Sequence, residues 1–175
     1  MIAALKHRRR RIETATSLCA AVSRHARDPV FYREYGVADS IDGRFDLLTL
    51  HAWLVLERLQ TTGETDLAQA FVDGLFARFD EALREQGAGD IGVGRRMKTL
   101  AGAFYGRLSA YSATSGAEDF AAVVLRDVYR GDPSRVDRAG LLAKYMLAAR
   151  EIFAGCNLAS GELQFPPFPR ADVRS

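Results

Sequence analysis

The sequence predicts an all-α fold: one single-domain bundle of about six or seven helices, closed by an extended Pro-rich C-terminal tail. Three observations carry this. Apolar residues recur at three- and four-residue steps along most of the 175 residues. No segment alternates apolar and polar residues as a half-buried strand does. One segment, Phe45 to Leu59, is apolar on nearly every side, as only a helix surrounded by other helices can be.

The first stripe, Ile12, Ala15, Cys19, Val22 and Ala26, predicts a helix from about Ile12 to Ala26. Asp28-Pro29 ends it and opens a short helical turn through Val30, Phe31 and Tyr32. A linker from Gly36 to Gly43 follows, with Asp42 or Gly43 placed to cap the central helix. Gly63 stops that helix, and Thr62 or Thr65 can cap the next, whose face is Leu67, Phe71, Leu75, Phe79 and Leu83. After Gly87-Ala88-Gly89, Asp90 begins a helix with Met97, Leu100, Ala101, Phe104, Leu108 and Tyr111 on one stripe. Phe104, Tyr105 and Tyr111 read as core. Another helix starts near Ala117 and stops at Gly131-Asp132-Pro133. Ser134 is placed to cap the last long helix, whose inner face reads Leu141, Leu142, Tyr145, Met146, Ala149, Ile152 and Phe153. Phe165-Pro166-Pro167-Phe168-Pro169 cannot be helical. The chain thus divides into a basic arm (1–11), a helical domain (12–158) and an extended tail (159–175).

Composition narrows the function classes. With 48% hydrophobic and 26% charged residues the chain has the balance of a globular domain. Cys19 and Cys156 are too few for a disulfide framework. The longest apolar stretch, Leu47 to Leu56, is interrupted by Thr49 and His51 and is short of the roughly 20 residues of a membrane span. The net charge of +2 conceals an asymmetry. Residues 1–30 carry +5, with Lys6, Arg8, Arg9, Arg10 and Arg11 clustered, and the remainder carries −3. Such an arm either is a solvated terminus or is attracted to an anionic partner: lipid, RNA or a ribosome. It also has the look of a mitochondrial transit peptide, being basic and poor in acids.

Motifs for catalysis are sparse. His7, His25 and His51 lack partners at metal-ligand spacing, and His51 reads as a core histidine. Neither cysteine lies in a nucleophile motif. Gly87-Ala88-Gly89-Asp90-Ile91-Gly92 matches the dinucleotide fingerprint literally, but it follows a helix where that motif requires a strand. No cofactor, metal site or catalytic group is expected. The same segment has another use. Free amides at a helix start, with Arg95, Arg96 and Lys98 in its first turns, suit an acidic side chain or a phosphate.

Two motifs carry a resemblance. Phe31-Tyr32-Arg33 to Gly36-Val37, then Asp42-Gly43-Arg44-Phe45-Asp46-Leu47 and Leu50-His51-Ala52-Trp53-Leu54-Val55-Leu56, form the first. Asp90-Ile91-Gly92-Val93-Gly94-Arg95-Arg96-Met97-Lys98 with Ala103-Phe104-Tyr105-Gly106-Arg107 form the second. From about Thr16 to Phe153 the chain resembles the ubiquinol–cytochrome c chaperone family, and its compact N-terminus is similar to that of the shorter alphaproteobacterial members.

The resemblance implies a non-enzymatic chaperone that binds newly made cytochrome b during biogenesis of the cytochrome bc1 complex, respiratory complex III. Mitochondrial members also work with a small helical partner near the ribosomal tunnel exit. Set beside those members, this sequence is expected to lack their long N-terminal extension and any membrane anchor, which sets client binding above the ribosome and small-partner contacts. The implied location is the cytoplasm at the inner membrane in a bacterium, or the matrix side in a mitochondrion. DNA is not an expected partner. A holding protein needs an accessible apolar groove and charges that steer polar loops. The groove is expected beside the motif helix, around Gly94 to Tyr111. Arg95, Arg96, Lys98, Tyr105 and Arg107 are its client contacts, supported by Phe31, Tyr32, Trp53, Gly92, Gly94 and Phe104. Two alternatives stand beside this: a peripheral lipid-binding helical protein, and a ribosome- or RNA-binding module using Lys6 and Arg8 to Arg11.

Overall fold

A computed structural model describes residues 2–85 and 90–168. It is all-helical among those residues: α1 (Ile2–His25), α2 (Pro29–Arg33), α3 (Ile41–Thr61), α4 (Thr65–Glu85), α5 (Asp90–Ser112), α6 (Ala117–Val128) and α7 (Val136–Gly155), with 3-10 turns at Pro133–Arg135 and Leu158–Ser160. α3 is the axis and packs against α1, α4, α5, α6 and α7. Its run from Thr49 to Leu56 is buried without interruption, as a helix lacking a polar face requires. The most extensive pairings around it are α1 with α4 and α6 with α7.

Several helix ends differ from the sequence expectation. α1 begins at Ile2 and not near Ile12. Lys and Arg are good helix formers, so an exposed basic segment extends a helix without showing any apolar stripe, and Arg9 pairs with Glu13 one turn on at 2.8 Å. The cap of α3 is Ser40, whose hydroxyl accepts the Gly43 N–H at 3.1 Å, so Asp42 and Gly43 lie in the first turn. Gly63, at φ 73°, closes α3 as expected, with the Glu64 N–H returning to the Leu59 carbonyl. Ser134 does not cap the last helix. The Asp132 carboxylate accepts the Ser134 N–H at 2.9 Å and caps the 3-10 turn, and α7 starts after that turn. Leu141 is exposed, because the buried stripe of α7 is Ala139, Leu142, Ala143, Tyr145, Met146, Ala149 and Phe153, centred about 100° away.

The C-terminal segment is not helical beyond Ser160, yet it is part of the packing. Phe165 stacks on His25 with ring centroids 3.7 Å apart. Phe168 stacks on Tyr145 at 5.1 Å and lies edge-on to Phe31 at 5.2 Å. Tyr145 donates its hydroxyl to the Pro166 carbonyl at 3.3 Å and lies 2.7 Å from His25 Nε2. His51 is buried, with Nδ1 2.6 Å from the Leu47 carbonyl, as a core histidine should be. It meets His25 edge-on at 5.2 Å, a pairing that the spacing of the two residues in the chain does not reveal. Residues 169–175 of the expected tail lie outside the described residues, as do Gly87, Ala88 and Gly89 of the literal dinucleotide pattern.

Candidate functional site

α5 presents two opposite faces at successive odd positions, because residues two apart on a helix diverge by about 200°. Tyr105 points to one side and Arg107 to the other.

On the Tyr105 side, α3, α4 and α5 enclose an open groove of about 450 Å³. Trp53, Leu56, Ala68, Val72, Tyr105 and Leu108 supply its apolar surface, and polar side chains of all three helices form the edge. Trp53 is held firmly. Its Nε1 donates to Ser112 Oγ at 3.1 Å, and its ring stacks on Phe120 at 5.2 Å. The Arg150 guanidinium lies 5.5 Å over the same ring and clasps Glu57 through two bonds of 2.6 and 2.5 Å. Tyr105 forms one wall: it is 53% exposed and lies flat on Phe76, so the expectation that it is core is corrected, while Phe104 and Tyr111 are buried. Aromatic walls with polar edges accept an apolar side chain and satisfy the polar groups beside it.

On the other side, Arg107 is only 17% exposed and its Nη2 lies 2.7 Å from Asp46 Oδ1. Arg130 reaches Asp46 Oδ2 at 2.8 Å. Burial raises the Asp46 carboxyl to about 6, against the pull of the two guanidinium groups. Arg107 is therefore committed to an internal charge and is not free at a groove edge. The Asp46 cluster was not foreseen. The one signal for it is an acid set between Phe45 and Leu47, where the apolar helix begins.

Arg95, Arg96 and Lys98 are exposed on the first turns of α5, with Gly92 and Gly94 beside them also exposed. None of them lines the Trp53–Tyr105 groove. Val93 is buried, and Met97, Leu100 and Ala101 are half-buried. Phe31 is buried with His25, His51 and Tyr145, and Tyr32 donates to the Ala26 carbonyl at 3.2 Å. His51 and Trp53 leave α3 about 200° apart, so Phe31 supports the side of α3 away from the groove. Of the expected supports, Trp53 alone lines it.

Burial pushes the Cys19 thiol up to about 11 and keeps it protonated. Among the described residues no group of three or more His, Cys, Asp or Glu side chains could hold a metal ion. No helix among them is long and apolar enough to cross a membrane.

Comparison with known proteins gives two matches. The sequence model of a family described as ubiquinol-cytochrome C chaperone matches residues 33–160, a span that contains the first motif from Arg33 onward, the whole second motif and the groove. The crystal structure of the Cbp3 homolog from Brucella abortus is similar over 96% of this chain and 98% of that one, with 32% identity and a TM-score of 0.82. No curated protein matches.

Proposed function

Since the chain belongs to the ubiquinol-cytochrome C chaperone family, we propose that it is an assembly chaperone of respiratory complex III that holds newly made cytochrome b. The observation that carries this reading is the family match across residues 33–160, together with a groove inside that span that suits such a client. An unfinished membrane protein exposes apolar side chains to water, and covering them lowers the free energy of both partners. The groove offers Trp53, Leu56, Val72, Tyr105 and Leu108 for one such side chain or helix edge. The cations Arg95, Arg96 and Lys98 extend from the same helix and favour an acidic or phosphate-bearing neighbour. Nothing in this scheme makes or breaks a bond: selectivity comes from shape, burial and charge.

The test is recovery of the tagged chain from solubilised membranes shortly after pulse labelling. Cytochrome b is expected to come with it. Leu108→Arg, which puts a charge into the groove, is expected to lose the client while retaining a cooperative melt. Equal recovery with the variant would remove the groove from the proposal, and absence of cytochrome b from the wild-type sample would remove the client.

A further inference from the structure

The first three turns of α1 have two chemically different sides. Residues 4–10 are exposed although they are helical. At 100° per residue, His7, Arg10, Arg11 and Thr14 share one side. That side faces the start of α4 across a groove containing Glu64, Asp66 and Leu67, and Arg11 pairs with Asp66. Arg11 is thus answered by an acid of the same chain.

The opposite side faces away from the body. Leu5 and Ile12 stand two turns apart on one line, 67% and 50% exposed. Arg8 and Arg9 flank that line on either hand, and Lys6 stands next to Arg9. Glu13 is the acid on this side, paired with Arg9. Aliphatic tips set between cations are the pattern of a helix lying in a bilayer interface. The aliphatic groups enter the acyl boundary while guanidinium and ammonium groups meet headgroup phosphates. RNA would use the cations equally well but gives Leu5 and Ile12 nothing to bury against in a phosphate backbone.

From this we infer that the outward side of α1, made of Leu5, Lys6, Arg8, Arg9 and Ile12, is a docking surface for an anionic lipid bilayer. The inference goes beyond the chaperone role and does not rest on it. It adds a way for the groove to be held beside a membrane.

Co-sedimentation of the full chain with vesicles tests it. Binding is expected to vesicles of phosphatidylcholine mixed with phosphatidylglycerol, to be absent with phosphatidylcholine alone, and to fall as salt is raised. Leu5→Gln with Ile12→Gln keeps the charge and the helix propensity, and is expected to weaken vesicle binding at least about tenfold. Arg8→Glu with Arg9→Glu is expected to abolish it. Circular dichroism and a melt of each variant confirm that the fold is retained. Vesicle binding unchanged by the glutamine pair overturns the inference, because the segment then acts by charge alone. Preferential binding to purified ribosomal RNA, indifferent to the glutamine pair, overturns it in favour of a nucleic acid. No binding to the mixed vesicles also overturns it. None of these outcomes depends on whether cytochrome b is the client.

Discussion

Arg130 stands in the left-handed region at φ 58°, and from there its guanidinium reaches the buried carboxylate of Asp46 at 2.8 Å. Among the described residues it is the one non-glycine with positive φ, a conformation that costs an L-residue roughly 1–2 kcal/mol. The ion pair compensates. Asp46 has no exposed surface, and without Arg107 and Arg130 its charge would be stranded in the bundle.

Substitution at Arg130 separates the two effects. Arg130→Ala loses the ion pair and keeps the backbone cost. Arg130→Gly loses the pair and removes the cost. Both are expected to be less stable than the wild type by about 1–3 kcal/mol, below the roughly 3–5 of a fully buried pair because Arg130 is 51% exposed. The glycine variant should retain about 1 kcal/mol more than the alanine variant. Urea unfolding of the two decides it, and equal stabilities would show that the backbone is relaxed.

Acid stability follows from three buried groups. Burial lowers His25 to about 4 and His51 to about 3, from 6.5. Below pH 6.5 the unfolded chain takes up protons that the folded chain refuses, so stability is lost as pH falls through this window. Asp46 acts oppositely. The folded chain keeps its proton up to about 6 and the unfolded chain releases it above 3.8, so this stabilising contribution is lost as pH rises through about 6. Between pH 6 and 4 one proton of the histidine effect is cancelled, leaving a slope of about 1.4 kcal/mol per pH unit. Asp46→Asn should roughly double that slope, measured by urea unfolding at several pH values.

Phe165 covers one face of the His25 ring. Phe165→Ala uncovers the ring face on which it stacks at 3.7 Å. The His25 pKa is expected to rise from about 4 toward 6.5, read by an NMR titration of the ring. The same variant should lose about 2–4 kcal/mol, less than a fully buried phenylalanine because Phe165 is half-buried. A pKa that stays low would place the desolvation in His51, Phe31 and Tyr145 alone.

Gly43→Ala tests why the first motif needs its glycine. A Cβ at position 43 would run into the backbone carbonyl of Ala38, which cannot yield as a flexible side chain can. The expected cost is about 1–3 kcal/mol, the usual cost of overpacking. The measurement is a thermal melt. A variant that melts with the wild type would mean that the 38–43 segment shifts freely.

Arg95→Glu with Lys98→Glu should leave stability within about 0.5 kcal/mol, since both side chains are exposed. Placing like charge against an acidic partner can cost several kcal/mol of binding. The level of assembled bc1 complex in cells that depend on the protein is expected to fall. Normal levels would assign the second motif to folding.

Periodicity alone determined the all-helical bundle, the central place of α3 and the chain order of the helices, because burial of an apolar stripe is written in sequence at 3.6-residue spacing. The motifs at 31–56 and 90–107 placed the chain in its family for the same kind of reason: they are local strings. Tertiary structure decided everything that depends on two distant residues meeting. Asp46 with Arg107 and Arg130, His25 under Phe165, and Trp53 with Tyr105 across one groove are separated by tens of residues. Periodicity assigns a residue to a face but not to a neighbour. It also misses a helix whose residues are exposed, as in the first turns of α1, where charged side chains leave no apolar stripe to read. The first motif illustrates the division. Gly43 and Asp46 were legible as a family signature, and only the packed bundle shows what each meets: one lets the Ala38 carbonyl approach, and the other is a buried charge answered by Arg107 and Arg130.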